Sequence, residues 1–221
     1  MTIDAKLLGL ARRKLYSGVI SDVLDALGHP EHAMKPHVRP LDERLVLCGP
    51  VRTALYREVF HVEEGTNPYE LEIALIDDLK PGEIAVMGCP PGDRVAPWGE
   101  LLSTAAKARR AGGCVTDGLV RDVKLIRAMK FPVFAGGIGP LDSKGRGVVA
   151  AIDVPIACGG TAVHPGDYVF ADVDGVCVIP KRLARECFAR ALDKASSENT
   201  VRRELARGDR LAAVFKRHGI L

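Results

Sequence analysis

The sequence predicts a mixed α/β fold, with a strand-rich core and helices at both ends of the chain. Short β-branched runs separated by turns fill the middle of the chain, from about residue 45 to residue 180. Apolar residues recur with helical spacing before residue 28, and polar helical sequence follows residue 181. Helices separate only some of the strands, so the regular alternation of a doubly wound sheet is not predicted.

These patterns predict one domain over residues 1–221, a length that can bury a sizeable core. Residues 1–28 are predicted to form N-terminal helices, residues 29–180 an α/β core, and residues 181–221 a C-terminal helical tail. The tail carries interleaved charges of both signs, which is typical of a solvated helix face.

The N-terminal part is predicted to hold two helices. Leucines at helical spacing indicate the first over residues 4–15, and the second covers residues 19–27 and ends at Gly28. Residues 29–40 are rich in proline and histidine and are predicted to be loop.

Within the core, the pattern predicts strands, short helices and Pro/Gly loops. Gly49-Pro50 is expected to separate the first two strands, because proline cannot donate to a β ladder. Helices are predicted over 69–78, from about 101 to 111, and over 123–129, with loops at 63–68 and 88–99. The predicted strands are 45–48, 51–56, 84–87, 114–116, 131–135, 147–153, 156–158, 168–171 and 176–179.

Composition indicates an ordinary globular protein and argues against several functional classes. A net charge of +3 is too mild to predict a nucleic-acid partner. No apolar run approaches the length of a membrane span, and the first residues lack the layout of a signal peptide. The six cysteines form no C-x-x-C motif, so we expect a cytoplasmic protein with reduced cysteines in its core.

Residues 97–122 carry the densest candidate chemistry. Gly99 lets backbone approach a ligand, and the helix that follows points its free N–H groups at the same loop, which suits a carboxylate or phosphate. The chain then returns through a strand to Arg121, whose planar fork matches a carboxylate, and to Asp122, which could hold Mg²⁺ because that ion keeps several waters. Local chemistry alone leaves simpler alternatives open: a capped helix, a surface ion pair, and a helix-dipole role for Glu100.

Other motifs give weaker signals. Asp117-Gly118 is predicted to be a turn, and residues 142–146 resemble a phosphate-binding loop only weakly. The six histidines show no metal-like pairing on a predicted helix, and neither a nucleophile elbow nor a dinucleotide-binding glycine motif is present.

Six blocks of the sequence together resemble one known family. They are residues 98–106, 116–122, 131–135, 142–146, 165–167 and 171–176. They are similar to the class II pyruvate aldolases that act on 4-hydroxy-4-methyl-2-oxoglutarate, a family that also contains the regulator of ribonuclease activity A. The resemblance extends from about residue 17 to the C-terminus.

One spacing within the resemblance separates the enzymes from the regulators. The aldolases are marked by an acidic residue, twenty intervening residues and Arg-Asp; this chain has Glu100, twenty residues, then Arg121 and Asp122, with Glu where the aldolases usually have Asp. The ribonuclease regulators lack that first acid and tend to carry another one three positions after the aspartate, where this chain has Leu125. Both differences favour the enzyme.

The resemblance implies a β/β/α swivelling-domain-like core that assembles as a homotrimer or homohexamer, with the site at a subunit boundary. It implies Mg²⁺ or Mn²⁺ held largely through water, with Asp122 as the metal ligand. A carboxylate of a neighbouring subunit's C-terminal helix, such as Glu198, is a further candidate for the site.

The resemblance also implies that Arg121 and the backbone amides of Leu101 and Leu102, next to Gly99, bind pyruvate. The implied reaction is retro-aldol cleavage of a small 4-hydroxy-2-oxo acid, with decarboxylation of oxaloacetate as a second activity. Glu100 is expected to position or activate the water that carries protons. Two other functions stay open: a non-catalytic protein-binding regulator of ribonuclease E type, and a related lyase with a different 2-oxo acid substrate.

Overall fold

The computed structural model describes residues 3–62, 64–90 and 95–220. The predicted loops at 63–68 and 88–99 therefore lie partly outside the described residues. The helices are α1 (Ala5–Lys14), α2 (Ser17–Ala26), α3 (Glu70–Asp78), α4 (Glu100–Ala108), α5 (Val123–Met129), α6 (Ala184–Ala206) and α7 (Leu211–His218). The strands are β1 (Arg39–Pro40), β2 (Leu47–Glu58), β3 (Ile84–Gly88), β4 (Gly113–Thr116), β5 (Leu119–Val120), β6 (Val133–Ala135), β7 (Gly137–Ile138), β8 (Gly147–Ile152), β9 (Ile156–Cys158), β10 (Thr161–Val163), β11 (Tyr168–Asp172) and β12 (Gly175–Ile179).

Eight of these strands form one mixed sheet that curves until it is nearly closed. Its order is β1-β6-β4-β3-β2-β11-β12, with β8 paired to the second half of β2. The two ends of the sheet meet: the Met34 amide donates to the Val176 carbonyl at 2.9 Å, and the Arg39 guanidinium donates to the carbonyls of Val173 and Asp174 at 3.2 and 2.6 Å. The predicted mixed, strand-rich α/β fold is confirmed.

Apolar side chains pack on both sides of this curved sheet. Inside the curve, Leu47 and Phe134 are fully buried. On one outer face, α3, α4 and α5 cover the parallel strands, and Trp98 is buried in that layer. On the other face, α1, α2 and α6 cover β11 and β12, and Phe188 meets Tyr168 edge-on at 6.2 Å between ring centroids. These two apolar clusters fix the helices on the sheet, and the candidate site lies in the layer that contains α3–α5.

The predicted break at Gly49-Pro50 is wrong, because β2 runs through both residues. Pro50 is tolerated because pairing with β11 ends there and parallel pairing with β3 begins only at Val51. Gly49 is required for space, since a Cβ at that position would lie 2.3 Å from the carbonyl oxygen of Gly82.

Other differences from the predictions also come from partners distant in the sequence. Helix α2 begins at Ser17 rather than at residue 19, because the carboxylate of Asp172 accepts from the Ser17 amide at 2.8 Å and from its hydroxyl at 2.6 Å. The short strands β1, β5, β7 and β10 were not predicted, and the tail divides into two helices near Gly208, whose φ is +92°.

All six cysteines are free, as predicted, and five of them are buried. Burial raises the pKa of Cys48, Cys177 and Cys187 to about 12 in each case, so these thiols stay protonated at neutral pH. None of the helices in the described part of the chain is long and apolar enough to cross a membrane.

We expect Asp172→Ala to lower the free energy of unfolding by about 1–3 kcal/mol, because it leaves the buried Ser17 amide and hydroxyl without their acceptor. Urea unfolding followed by circular dichroism would measure the change. The control is Asp174→Ala, which removes an exposed carboxylate from the same turn. Equal destabilisation by both variants would contradict the role given to Asp172.

Candidate active site

A cavity of about 290 Å³ opens at the N-terminus of α4. The residues that line it include every site residue predicted from the sequence, namely Gly99, Glu100, Leu101, Leu102, Arg121 and Asp122. Helix α3 and the loop before β8 supply further lining residues: Tyr69, Glu72, Ile73, Asp142 and Ser143.

Trp98 fixes the first turn of α4 against the end of β5. Its indole is fully buried and donates to the Ser103 hydroxyl at 2.8 Å, and that hydroxyl donates in turn to the Gly99 carbonyl at 2.9 Å. The Arg121 amide donates to the Trp98 carbonyl at 3.0 Å. These bonds bring the start of a helix and the residues after β5 together although they lie more than twenty positions apart.

Gly99 is the point of closest approach between these two segments. A Cβ there would lie 2.9 Å from Asp122 Oδ2 and 3.2 Å from Arg121 Nε. The φ of Gly99 is −151°, which any residue adopts, so space rather than backbone conformation requires glycine. The closest neighbours are side chains of the site itself, and the predicted approach of this backbone to a ligand stays a prediction.

Asp122 presents its carboxylate to the cavity from a strained backbone position. Its φ of +58° is left-handed, and although it stands at the N-cap of α5 its side chain does not cap that helix. Instead, Oδ2 accepts from the Glu100 amide at 3.3 Å and lies 3.6 Å from Arg121 Nε. The carboxylate therefore sits at the positive end of α4 beside a guanidinium.

The guanidinium of Arg121 is held between two carboxylates. Its Nη2 lies 3.4 Å from Asp142 Oδ1, while Asp142 Oδ2 accepts from the Tyr69 hydroxyl at 2.7 Å and from the Lys144 amide at 3.2 Å. Burial alone would raise the pKa of Asp142, but these hydrogen bonds and Arg121 outweigh it and lower that pKa. Burial, reinforced by the bond to Asp142, raises the pKa of Tyr69 to about 12.

Glu72 lies on the wall that α3 contributes to the cavity. It is only 6% exposed, and in the described ranges its carboxyl group makes neither a hydrogen bond nor an ion pair. Burial raises its pKa to about 7; the Asp142 carboxylate adds to the rise and Arg121 opposes it. The cavity therefore contains one carboxyl group that changes charge near neutral pH.

The first turn of α4 offers backbone donors. The first amide in the helix with an intrahelical partner is that of Ser103, which donates to the Gly99 carbonyl at 3.1 Å, so the amides of Leu101 and Leu102 precede it. The Glu100 carboxylate accepts from the Thr104 hydroxyl at 2.7 Å along the helix. The predicted helix start is thus formed, with amides free of intrahelical bonds beside Glu100, and anion binding there stays a prediction.

Other predicted features lie wholly or partly away from the cavity. The Asp117 carboxylate accepts from the amides of Cys89 and Gly159, both at 2.8 Å, and so stabilises the predicted turn. In the weak phosphate-loop motif only Asp142 and Ser143 line the cavity. The Glu198 carboxylate is engaged within its own chain, where it accepts from the Tyr16 hydroxyl and lies 3.6 Å from Lys194.

The site residues fit a divalent cation that is held mainly through water. No group of three or more His, Cys, Asp or Glu in the described part of the chain could hold a metal ion. Asp122 is 41% exposed in the cavity, and among the described residues its Oδ1 accepts no hydrogen bond. One carboxylate with water is a donor set that Mg²⁺ accepts, because this ion keeps several of its waters.

Tyr69, Glu72 and Asp142 were not predicted as members of the site. The sequence does hold one signal for Glu72: it shares a helical face with the buried Leu75 and Ile76, three and four positions later, where an acid is unexpected. Asp142 belongs to the weak phosphate-loop motif, which was not assigned to this site. No local pattern indicates Tyr69, which lies 73 positions away and meets Asp142 only in the folded chain.

Comparison with known proteins of similar sequence indicates one family. The family model described as RraA-like, Aldolase/RraA, matches residues 18–178. A protein of Halalkalibacterium halodurans with the provisional name 4-hydroxy-4-methyl-2-oxoglutarate aldolase is 32% identical over 202 residues, covering 91% of this chain and 89% of that protein.

Solved structures give the same picture of the fold. RraAS2 of Streptomyces coelicolor, described as an unusual member of the RNase ES inhibitor RraA protein family, is 26% identical, with a TM-score of 0.79 over 91% of this chain and 98% of its own. An uncharacterised protein of Pseudomonas syringae, at 24% identity, shares the fold with a TM-score of 0.85 over 97% of this chain and 94% of its own.

Proposed function

The chain belongs to the RraA-like family, and on that premise we propose that it is a divalent-metal-dependent lyase that releases pyruvate from small 4-hydroxy-2-oxo acids. Its substrate class is that of 4-hydroxy-4-methyl-2-oxoglutarate, the compound in the name of the Halalkalibacterium relative. The observation that carries the proposal is the meeting of the Asp122 carboxylate, the Arg121 guanidinium and the start of α4 in one cavity.

Substrate binding is assigned to the positive groups of the cavity. Arg121 offers a planar fork that matches the carboxylate of a 2-oxo acid. The amides of Leu101 and Leu102 add donors at the positive end of α4, and Gly99 keeps that helix start close to Arg121.

The cation would be held by Asp122. When bound, Mg²⁺ or Mn²⁺ supplies a Lewis acid that polarises the 2-oxo group and stabilises negative charge on it. Arg121 adds a fixed positive charge toward the same end of the substrate, where negative charge develops. Glu100, at the rim, would orient a water that exchanges protons with solvent.

The proposed reaction starts with removal of the proton from the C4 hydroxyl. The C3–C4 bond breaks, its electron pair forms the enolate of pyruvate, and a carbonyl product leaves. Protonation of the enolate at C3 completes pyruvate. Oxaloacetate gives the same enolate on loss of carbon dioxide, so decarboxylation is proposed as a second activity.

We propose that the active form is a homotrimer or homohexamer. In support, apolar side chains stand exposed near the cavity: Leu101 is 76% exposed, Leu125 53% and Ile138 63%. A neighbouring subunit would cover these side chains. A cytoplasmic location stays a prediction.

A second candidate function is favoured by the Streptomyces structure, whose family is described as RNase ES inhibitors. In that case the chain would bind a ribonuclease and would not turn over a 2-oxo acid. The enzyme is preferred because this chain has Glu100 at the acid position that the regulators lack, and Leu125 at the position where the regulators tend to carry their further acid.

Pyruvate release from 4-hydroxy-4-methyl-2-oxoglutarate and from oxaloacetate tests the proposal. We expect release with Mg²⁺ or Mn²⁺ and its loss in EDTA, measured by coupling pyruvate to lactate dehydrogenase. The control for oxaloacetate is the same metal without protein, because metals alone decarboxylate this compound. Release no faster than that control, with no cleavage of the hydroxy acid, would favour the ribonuclease-binding function.

A further inference from the structure

Glu72 is a buried acid at the cavity wall whose carboxyl group takes no part in the hydrogen bonds of the described residues. The residue is 6% exposed, yet in the described ranges its carboxyl group has neither a hydrogen bond nor an ion pair. Burial without a partner among the described residues makes the charged form of this carboxyl group costly. Such a group at the wall of a cavity is typical of a functional site, because a ligand or water supplies the missing partner.

Neighbouring charged groups influence the ionisation of this carboxyl group. Asp142, before β8, disfavours its ionisation, and Arg121, after β5, favours it. Tyr69, the N-cap residue of α3, lies three positions before Glu72 and donates its hydroxyl to Asp142. Glu100 and Asp122 also line the cavity. The Glu100 carboxylate accepts from a hydroxyl within α4, and the Asp122 carboxylate accepts from the Glu100 amide beside Arg121.

Burial and these charges raise the pKa of Glu72 to about 7. A group that titrates at the working pH can take a proton and return it within one reaction cycle, which is the property of an efficient acid–base catalyst. The other cavity acids are less suited: Asp142 has a lowered pKa, and the Glu100 carboxylate is hydrogen-bonded to Thr104 at the rim.

We propose that Glu72 is the catalytic acid–base of this site, which takes the proton of the substrate's C4 hydroxyl and delivers it to C3 of the enolate. This inference rests on the proposed lyase function. The ionised carboxylate accepts the hydroxyl proton as the C3–C4 bond breaks. The neutral carboxyl group then gives the same proton to C3, so the residue ends the cycle in the form in which it began.

The test compares pH profiles of the wild type and Glu72→Gln. In the wild type with Mg²⁺, kcat/KM for cleavage of 4-hydroxy-4-methyl-2-oxoglutarate should rise with pH through an apparent pKa of about 7, because the first step needs the ionised form. Glu72→Gln keeps the shape of the side chain but cannot take a proton. We expect it to lower kcat/KM by about 10²–10⁴-fold and to remove the rising limb.

Exchange of the methyl protons of pyruvate in D₂O, followed by NMR, isolates the C3 step. We expect Glu72→Gln to slow this exchange by a similar factor. Glu72→Asp, which restores a carboxyl group, should recover part of the rate together with the rising limb. Glu70→Gln, the same change at an exposed position of the same helix, should leave both measurements unchanged.

Two results would overturn the assignment while leaving the lyase function intact. One is a Glu72→Gln variant with wild-type rates; the other is a slowed variant that keeps the rising limb near pH 7, which would indicate that Glu72 only supports the shape of the cavity. If the wild type neither cleaves the hydroxy acid nor exchanges pyruvate protons, the proposed function and this inference both fail.

Discussion

Asp122→Asn is expected to abolish metal-dependent pyruvate release. The carboxylate is the one proposed protein ligand of the cation, and it also neutralises the start of α4 and one side of Arg121. Loss of a residue that only orients a metal ligand costs about 10–100-fold, so loss of the ligand itself should lower kcat/KM by at least about 100-fold.

The variant should still fold, which makes the result interpretable. Asparagine tolerates the left-handed backbone that position 122 adopts at φ +58°. Titration of Mn²⁺ by electron paramagnetic resonance, without substrate, measures the lost metal affinity separately from turnover. Asp174→Asn, at an exposed turn, is the control. Unchanged Mn²⁺ affinity in Asp122→Asn would contradict the assignment of the ligand.

Gly99→Ala is also expected to cause a large loss of activity, although it removes no charged group. The new methyl carbon would stand 2.9 Å from Asp122 Oδ2 and 3.1 Å from Arg121 Cγ, so both side chains must move. A displacement of about 1 Å in a catalytic group can cost about 100-fold in rate, and we expect a fall in kcat/KM of that order.

Stability should change little in the same variant, because the displaced atoms belong to flexible side chains at a cavity. We expect the free energy of unfolding to stay within about 1 kcal/mol of the wild type. Gly18→Ala is the matched control, since its added methyl group meets nothing closer than Tyr16 Cδ2 at 3.7 Å. Full activity in Gly99→Ala would contradict the close packing of position 99 against the side chains of Arg121 and Asp122.

The site residues that could be predicted from the sequence all lie in one stretch of the chain, residues 97–122. Gly99, Arg121 and Asp122 belong to a single loop–helix–strand unit, so spacing and resemblance indicate them without knowledge of the fold. Tyr69 and Glu72 come from the N-cap and first turn of α3, where the only signal is an acid on the buried face of the helix. Their role depends on the packing of α3 beside α4, which no local pattern encodes.

The same limit explains the errors in the fold. Ser17 starts α2 because of an acceptor 155 positions away, and proline is tolerated within β2 because the strand changes partner there. Local propensity correctly predicted the interiors of the elements, including α5 over residues 123–129 and β9 over residues 156–158. The misses were boundaries set by distant hydrogen bonds and the short strands β1, β5, β7 and β10.

The near closure of the main sheet has a consequence for how the protein behaves at high concentration. A terminal strand with free amides and carbonyls is a template for another chain, and it is a common start of aggregation. Here the segment at Met34 and Arg39 donates hydrogen bonds to the turn and strand at the opposite end of the sheet. The two ends of the sheet thus satisfy part of each other's backbone groups, so these ends offer fewer free donors and acceptors to another chain.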